Sequence, residues 1–449
     1  MSGMCAVLFL LLASSQVSLG AKDCSTSATS STPGCLCLQE VVGGLKNPLA
    51  MLQPDDGTKK FFLVEQIGMI RVTDSSGRLL DQPFLNITSK VLTSDRPGDE
   101  RGLLGAVLHP QFAQNGYFYL YYSTREGGSN VGGGHKSVLA RLQVSDDKNQ
   151  ADPSSERVLM EIAQPGDGNN GGQLLFGADG YLYVSVGDGG AGAHTAGNTS
   201  SLLGKVLRID VNTADSGRPY SVPSDNPFVG QADARPEVYA YGFKNPWRCS
   251  VDKGDKEGVG QGRVFCGDVG NSSYEEISII SKGGNHGWPD REGHTCQNPS
   301  GCDDGHIPPV HVYSHDEGIA VIGGPVYRGC NVPSLRGKYL YADYTGKLFY
   351  LREQRNGTWT NAALCVGNNT VCKTSSQQSW GAGHHFILGF GQDVSGEAYL
   401  LTTLNPTASQ PLGKVFKFVD PDSTVSGAPV LQVSALLLLT AILIMKSFI

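Results

Sequence analysis

The amino-acid sequence predicts an all-β fold, a six-bladed β-propeller with four-stranded antiparallel blades, stapled by disulfides. Three observations predict it. Short apolar and aromatic runs, punctuated by Gly and Asp-Gly turns, fill residues 35–420 with almost no helical periodicity. The runs recur in six pairs, spaced at roughly 55 to 85 residues, which suits four-stranded units with long loops on one face. Ten of the eleven cysteines lie beyond residue 20, an even number that reads as five bridges in an oxidising compartment.

Taken in order, the pairs are Phe61–Glu65 with Met69–Val72, Tyr117–Tyr122 with Val138–Val144, and Tyr181–Val186 with Val206–Val211. Arg263–Cys266 with Glu276–Ile280, Tyr339–Tyr344 with Lys347–Leu351, and Glu397–Leu401 with Lys414–Phe418 follow. The first of each pair reads as the inner strand of a blade and the second as the outer. A β-sandwich or two smaller β domains is the alternative, but no linker-like stretch divides residues 40–420.

The ends carry export signals. Residues 1–20 hold a short apolar run with small residues before Ala21, the pattern of a signal peptide without a basic start. Residues 21–34 form a Ser/Thr-rich leader. Residues 421–449 hold small residues at 426–428 and then an apolar tail. Only Lys446 follows as a basic residue, which favours a GPI attachment signal over a single transmembrane helix. Glycine is abundant (59 residues), charged residues are few (17%) and the net charge is −7. No basic tract is present, so nucleic acid is not an expected partner. Five Asn-x-Ser/Thr sequons, at Asn86, Asn198, Asn271, Asn356 and Asn368, read as surface glycan sites in an exported chain.

Spacing alone does not fix the disulfide connectivity. Cys35 and Cys37 share one face of a strand. Pairing them with Cys365 and Cys372 (Cys35–Cys365 and Cys37–Cys372) closes a ring. Cys249–Cys266 bridges strands of the fourth blade, and Cys296–Cys302 and Cys24–Cys330 use the rest.

Five segments carry the chemistry: GDERGLLGAVLHP at 98–110, NNGGQLLFGADGYLYVSVGDGG at 169–190, LLGKVLRIDV at 202–211, YGFKNPWRCSVDKGD at 241–255 and VFCGDVGNSSYEEISIISKGGNHGWP at 264–289. In this order they resemble the glucose/sorbosone dehydrogenase superfamily of six-bladed propellers, and within it the hedgehog-interacting-protein-like proteins. The resemblance implies an enzyme ancestry in which pyrroloquinoline quinone (PQQ) and calcium oxidise an aldose. It places a His base where this chain has Asn169, and an Arg where it has Lys244, followed by Asn245. An amide cannot accept a proton near neutral pH, and a lysine lacks the guanidinium fork. Lys244 and Asn245 are thus the candidate cofactor contacts, in a pocket expected to have lost its dehydrogenase chemistry. For calcium, the resemblance implies the carbonyls of Gly270 and Asn271, the side chain of Glu276 and, more weakly, Asp268, a hard oxygen set.

Other polar residues take plain readings. Asp188 reads as a turn residue, His109 and His286 as strand-end packing, and Lys205 and Arg208 as a solvated outer strand. His384 and His385 point apart if they lie on a strand. The family name implies hedgehog-type ligands, bound through an acidic loop residue; the matching loop here, 198–203, has no acid and carries a sequon. The expected role is binding or structural, at the cell surface or in matrix, toward an extracellular protein or glycan. The alternative is a PQQ- and calcium-dependent oxidoreductase acting on a sugar or related alcohol.

Overall fold

A computed structural model describes residues 34–125, 134–191, 195–298, 302, 305–367, 372, 377–378 and 385–421. Six antiparallel sheets stand around an axis. Their first strands are Pro48–Leu52, Leu103–Leu108, Leu174–Phe176, Pro246–Val251, Val321–Val326 and Phe386–Gln392, and these touch their neighbours around the axis. One helical turn, Phe112–Asn115, and one 3-10 turn, Pro333–Leu335, are the helices among the described residues.

The six predicted pairs are present, but their radial order is corrected. They are the two central strands of each blade, for example Leu182–Val186 with Lys205–Ile209 and Tyr339–Asp343 with Leu348–Glu353. The strand nearest the axis is a separate element that precedes each pair. Central strands pack on both faces. Phe62 and Val64 join a core shared with the second blade, whereas Leu63 joins one shared with the sixth. Such strands read as unbroken apolar runs.

The axial strands are harder to read because they must approach one another. A Cβ on Gly105 would lie 2.0 Å from the carbonyl oxygen of Gly172, and one on Gly323 would lie 2.2 Å from that of Arg248. Glycine at these two positions lets neighbouring blades meet, and it weakens the strand signal.

The ring closes through the start of the chain. Cys37–Leu45 pairs antiparallel with Gly413–Val419 and becomes the fourth strand of the sixth blade, with Gln377–Gln378 on its outer edge. The bridges Cys35–Cys365 and Cys37–Cys372 fasten it there. Cys249–Cys266 joins residues directly opposite in the fourth blade, and Cys296–Cys302 closes a short loop. Cys330 is also disulfide-bonded, and Cys24, its expected partner, lies outside the described residues. So do residues 1–33, which hold the expected signal peptide and leader, the tail from 422, Asn368 and His384.

Lys205 and Arg208 are not solvated, which corrects that reading. Lys205 is fully buried, and its Nζ donates to the carbonyls of Thr195, Ala196 and Leu203. Arg208 is buried between Asp179 and Asp225, with its guanidinium over the ring of Tyr181. Both lie on the third strand of a blade whose two faces are covered, so any cation there needs acceptors within the protein.

Candidate functional site

One face of the propeller is built from the segments entering the axial strands and the loops joining the two central strands. On that face lies a cleft of about 260 Å³. Its rim includes Asp99, Glu100 and Asn245, and its inner end includes Leu49, Trp247 and Leu388.

The two residues that depart from the family pattern meet beside it. The Nζ of Lys244 donates to Oδ1 of Asn169 at 3.2 Å. The Nδ2 of Asn169 donates to Oδ1 of Asp188 at 2.9 Å, and its backbone N–H donates to Oε2 of Glu100 at 2.6 Å. Asn169 has a left-handed backbone (φ 56°), which asparagine tolerates better than most residues. Its side chain is therefore held at both ends.

Asp188 is more than a turn residue. It is buried, accepts the indole N–H of Trp288 at 3.0 Å and the N–H of Gly190, and donates its own N–H to the Lys244 carbonyl. Glu100 and Trp288 complete the corner, and neither was singled out from the sequence. Both lie inside the quoted segments, but only the fold shows that their loops converge. Burial pushes the Glu100 carboxyl up; the Asn169 N–H and Lys244 oppose this, and Asp99 and Asp188 add to it.

Asn245 ties this corner to the next. Its Oδ1 accepts the N–H of Gly171, and its own N–H donates to Oδ1 of Asp268 at 2.6 Å. Oδ2 of Asp268 accepts the Lys244 N–H. Burial pushes Asp268 up to about 7. Asp268 lies directly across the sheet from Glu276, whose Oε1 accepts the Gly293 N–H. Burial raises Glu276 well above the usual carboxylate range, and Asp268, Glu292 and Glu275 push it further.

The 270–274 loop is gripped by a residue from a long excursion between the third and fourth strands of the fourth blade. Oε1 of Glu292 accepts the N–H groups of Asn271, Ser272, Ser273 and Tyr274 at 2.8 to 3.3 Å. Burial raises its carboxyl, but those four donors outweigh burial and hold it below its ordinary value. Glu275 accepts the N–H groups of Gly270 and Val321 and contacts His315 Nε2 at 2.8 Å. Among the described residues, no group of three or more His, Cys, Asp or Glu side chains is arranged to hold a metal ion.

His109 packs as expected, bonded to Asn212 and Gln111. His286 is buried and stacked on Phe243 at 4.5 Å, and burial lowers it to about 3. His385 is half-buried. The sequon residues Asn86, Asn198, Asn271 and Asn356 are all exposed. Among the described residues no helix is long and apolar enough to cross a membrane.

A family profile described as glucose / sorbosone dehydrogenase matches residues 45–364. The chain belongs to this family. It is 32% identical to the hedgehog-interacting protein of Homo sapiens over 394 residues, covering 86% of this chain and 53% of that protein. It is 30% identical to the HIPL1 protein of Arabidopsis thaliana over 452 residues, covering 83% of this chain and 62% of that one. The chain thus spans little more than half the length of these curated relatives. A putative oxidoreductase (glucose dehydrogenase) from Thermus thermophilus superposes with a TM-score of 0.65 at 26% identity, covering 86% of this chain and all (100%) of that chain. The PQQ-bound aldose sugar dehydrogenase of Streptomyces coelicolor shares the fold, with a TM-score of 0.63 at 20% identity over 87% of this chain and 99% of that one.

PQQ is a planar tricarboxylate. Beside the cleft the ammonium of Lys244 is already shared with Asn169, the guanidinium of Arg101 is already paired with Asp99 and Asp167, and Glu100 lines the rim. Neither cation is left unengaged to meet a carboxylate of the cofactor, and Glu100 adds an acid, so the residues present do not fit that cofactor, and no reaction step is derived through it.

Proposed function

We propose that this family member is an exported, glycosylated propeller that binds a partner or ligand at its cleft face and does not act as a sugar dehydrogenase. One observation carries the reading. Where the resemblance places a general base, Asn169 is an amide held by Lys244 and Asp188. It has no proton-accepting site near neutral pH, and a swing toward a substrate would break both of its side-chain bonds. Titration of the purified chain with PQQ, with and without calcium, followed by an aldose-dependent dye-reduction assay, tests this. The expected result is no saturable binding and no turnover; turnover overturns it.

A second reading rests on Glu100. Its carboxylate lines the cleft next to the Asn169 N–H, and burial raises its pKa. If the chain is an oxidoreductase acting on an alcohol, Glu100 is the substitute base, and Glu100→Gln abolishes turnover.

Calcium is proposed as a structural ion. The carbonyls of Gly270 and Asn271 would join the carboxylates of Glu276 and Asp268, and the crowding of acids around Glu276 supports a cation there. Chelation should then lower the melting temperature, and an unchanged melting point overturns it.

Secretion, glycans at the five sequons and a GPI anchor form part of the same proposal. Release from cells by a phosphatidylinositol-specific phospholipase tests the anchor. The partner is an extracellular protein or glycan. A hedgehog ligand is disfavoured, because the 198–203 loop presents an exposed sequon residue, Asn198, and no acid.

A further inference from the structure

The axial strands meet beneath the cleft, and a buried cation stands among them. Arg248 follows Trp247 on the fourth blade and is only 4% exposed. Its Nη1 donates to the carbonyl of Leu104, on the second blade, and to that of Trp247, both at 3.2 Å. A Cβ on Gly389, on the sixth blade, would lie 3.5 Å from its Nε. The guanidinium thus reaches across the axis and touches three blades.

Its electrostatics are unbalanced. Nε and Nη2 are closed off from solvent and have no hydrogen-bond partner. Among the described residues, no carboxylate forms an ion pair with it, unlike the equally buried Arg208, which has two. Burial pushes Arg248 down to about 9 with nothing pulling the other way. The ring of Trp247, 3.8 Å from its Cζ, supplies one soft contact. A guanidinium carries five donors, and a buried charge without a partner is costly.

We infer that the axis beneath the cleft binds a compact anion against the Nε–Nη2 edge of Arg248. That edge presents two parallel N–H groups, the geometry that grips a carboxylate in two places or holds a halide between them. Trp247 both lines the cleft and stacks on the face of the guanidinium, so its indole joins the cleft wall to the residue that holds the anion. The anion is a free halide or the carboxylate of a small ligand seated in the cleft. The site is independent of whether any redox cofactor binds.

The test uses the purified full chain in halide-free buffer, with a bulky sulfonate holding ionic strength constant. Chloride, bromide and acetate are titrated while the melting temperature is followed. A saturable rise in wild type that is lost in Arg248→Met is expected. Saturation by chloride and bromide assigns a halide; saturation by acetate alone assigns a ligand carboxylate. A rise that never saturates, or that Arg248→Met shares, overturns the proposal. If Arg248→Met does not fold, the chlorine-35 line width over wild-type protein decides. Excess broadening that acetate or bromide removes supports the site. Absence of broadening, together with no saturable acetate effect on melting, overturns it.

Discussion

Glu100 and Glu292 stand on the same face of the propeller, and each accepts backbone N–H groups, yet their surroundings push them in opposite directions. Glu292 faces four donors from one loop and is held below its usual range. Glu100 faces one backbone donor, among acids, and is raised. The first carboxylate satisfies main chain, so it belongs to the architecture. The second accepts a single backbone N–H, that of Asn169, and stands beside the side-chain bonds that join Asn169 to Lys244 and Asp188.

Removing Glu292 should have the largest effect. Glu292→Ala strips four N–H groups of their acceptor, at a cost of roughly 1–3 kcal/mol. Glu292→Gln keeps one oxygen and should cost less. Thermal denaturation checks both, and equal melting points for wild type and Glu292→Ala would break the comparison.

The pH dependences should have opposite signs. Glu292 has a folded pKa below its unfolded value, so its stabilisation is present above about pH 4.3 and is lost as pH falls through the folded value. Glu100 has a raised folded pKa, so the folded chain holds the extra proton and stability falls as pH rises from about 4.3 through that raised value. Glu100→Gln should flatten the falling limb and leave stability at neutral pH equal or higher. Denaturant titrations at several pH values measure this; a lower stability for Glu100→Gln at neutral pH would place Glu100 with the architecture after all.

The smallest effect concerns Asn169. Asn169→Gly keeps the left-handed backbone (φ 56°) at ease and loses the side-chain bonds. Asn169→Ala loses the same bonds and adds strain of about 1–2 kcal/mol. The melting temperature should therefore fall further for alanine than for glycine. Equal falls would mean that the left-handed backbone at this position adds no strain for alanine.

Much of this fold is legible in the sequence because central strands are covered on both sides. Tyr339–Asp343 and Leu182–Val186 are buried throughout and read as continuous apolar runs. The axial strands escape notice because Gly105, Gly323 and Gly389 replace side chains where blades converge. The site is partly legible. Asn169 and Lys244 stand out against the family pattern, and they do meet. Asp188, Glu100 and Trp288 carry no local mark, since their roles depend on three loops arriving at one place. Lys205 misleads because a charge on a strand normally means solvent, and only the fold reveals the three carbonyls that receive it.

The closure of the ring also sets which way the molecule faces. Cys37 lies opposite Val419, and Leu45 lies opposite Gly413. Gly413 is reached from the loop that carries Pro406 to the cleft, so Val419 and Cys37 stand at the far end of the same blade. The start of the first strand and the end of the last therefore stand side by side at the rear face. Any tether attached there would act as a stalk behind the disc and turn the cleft outward, toward whatever approaches from solution.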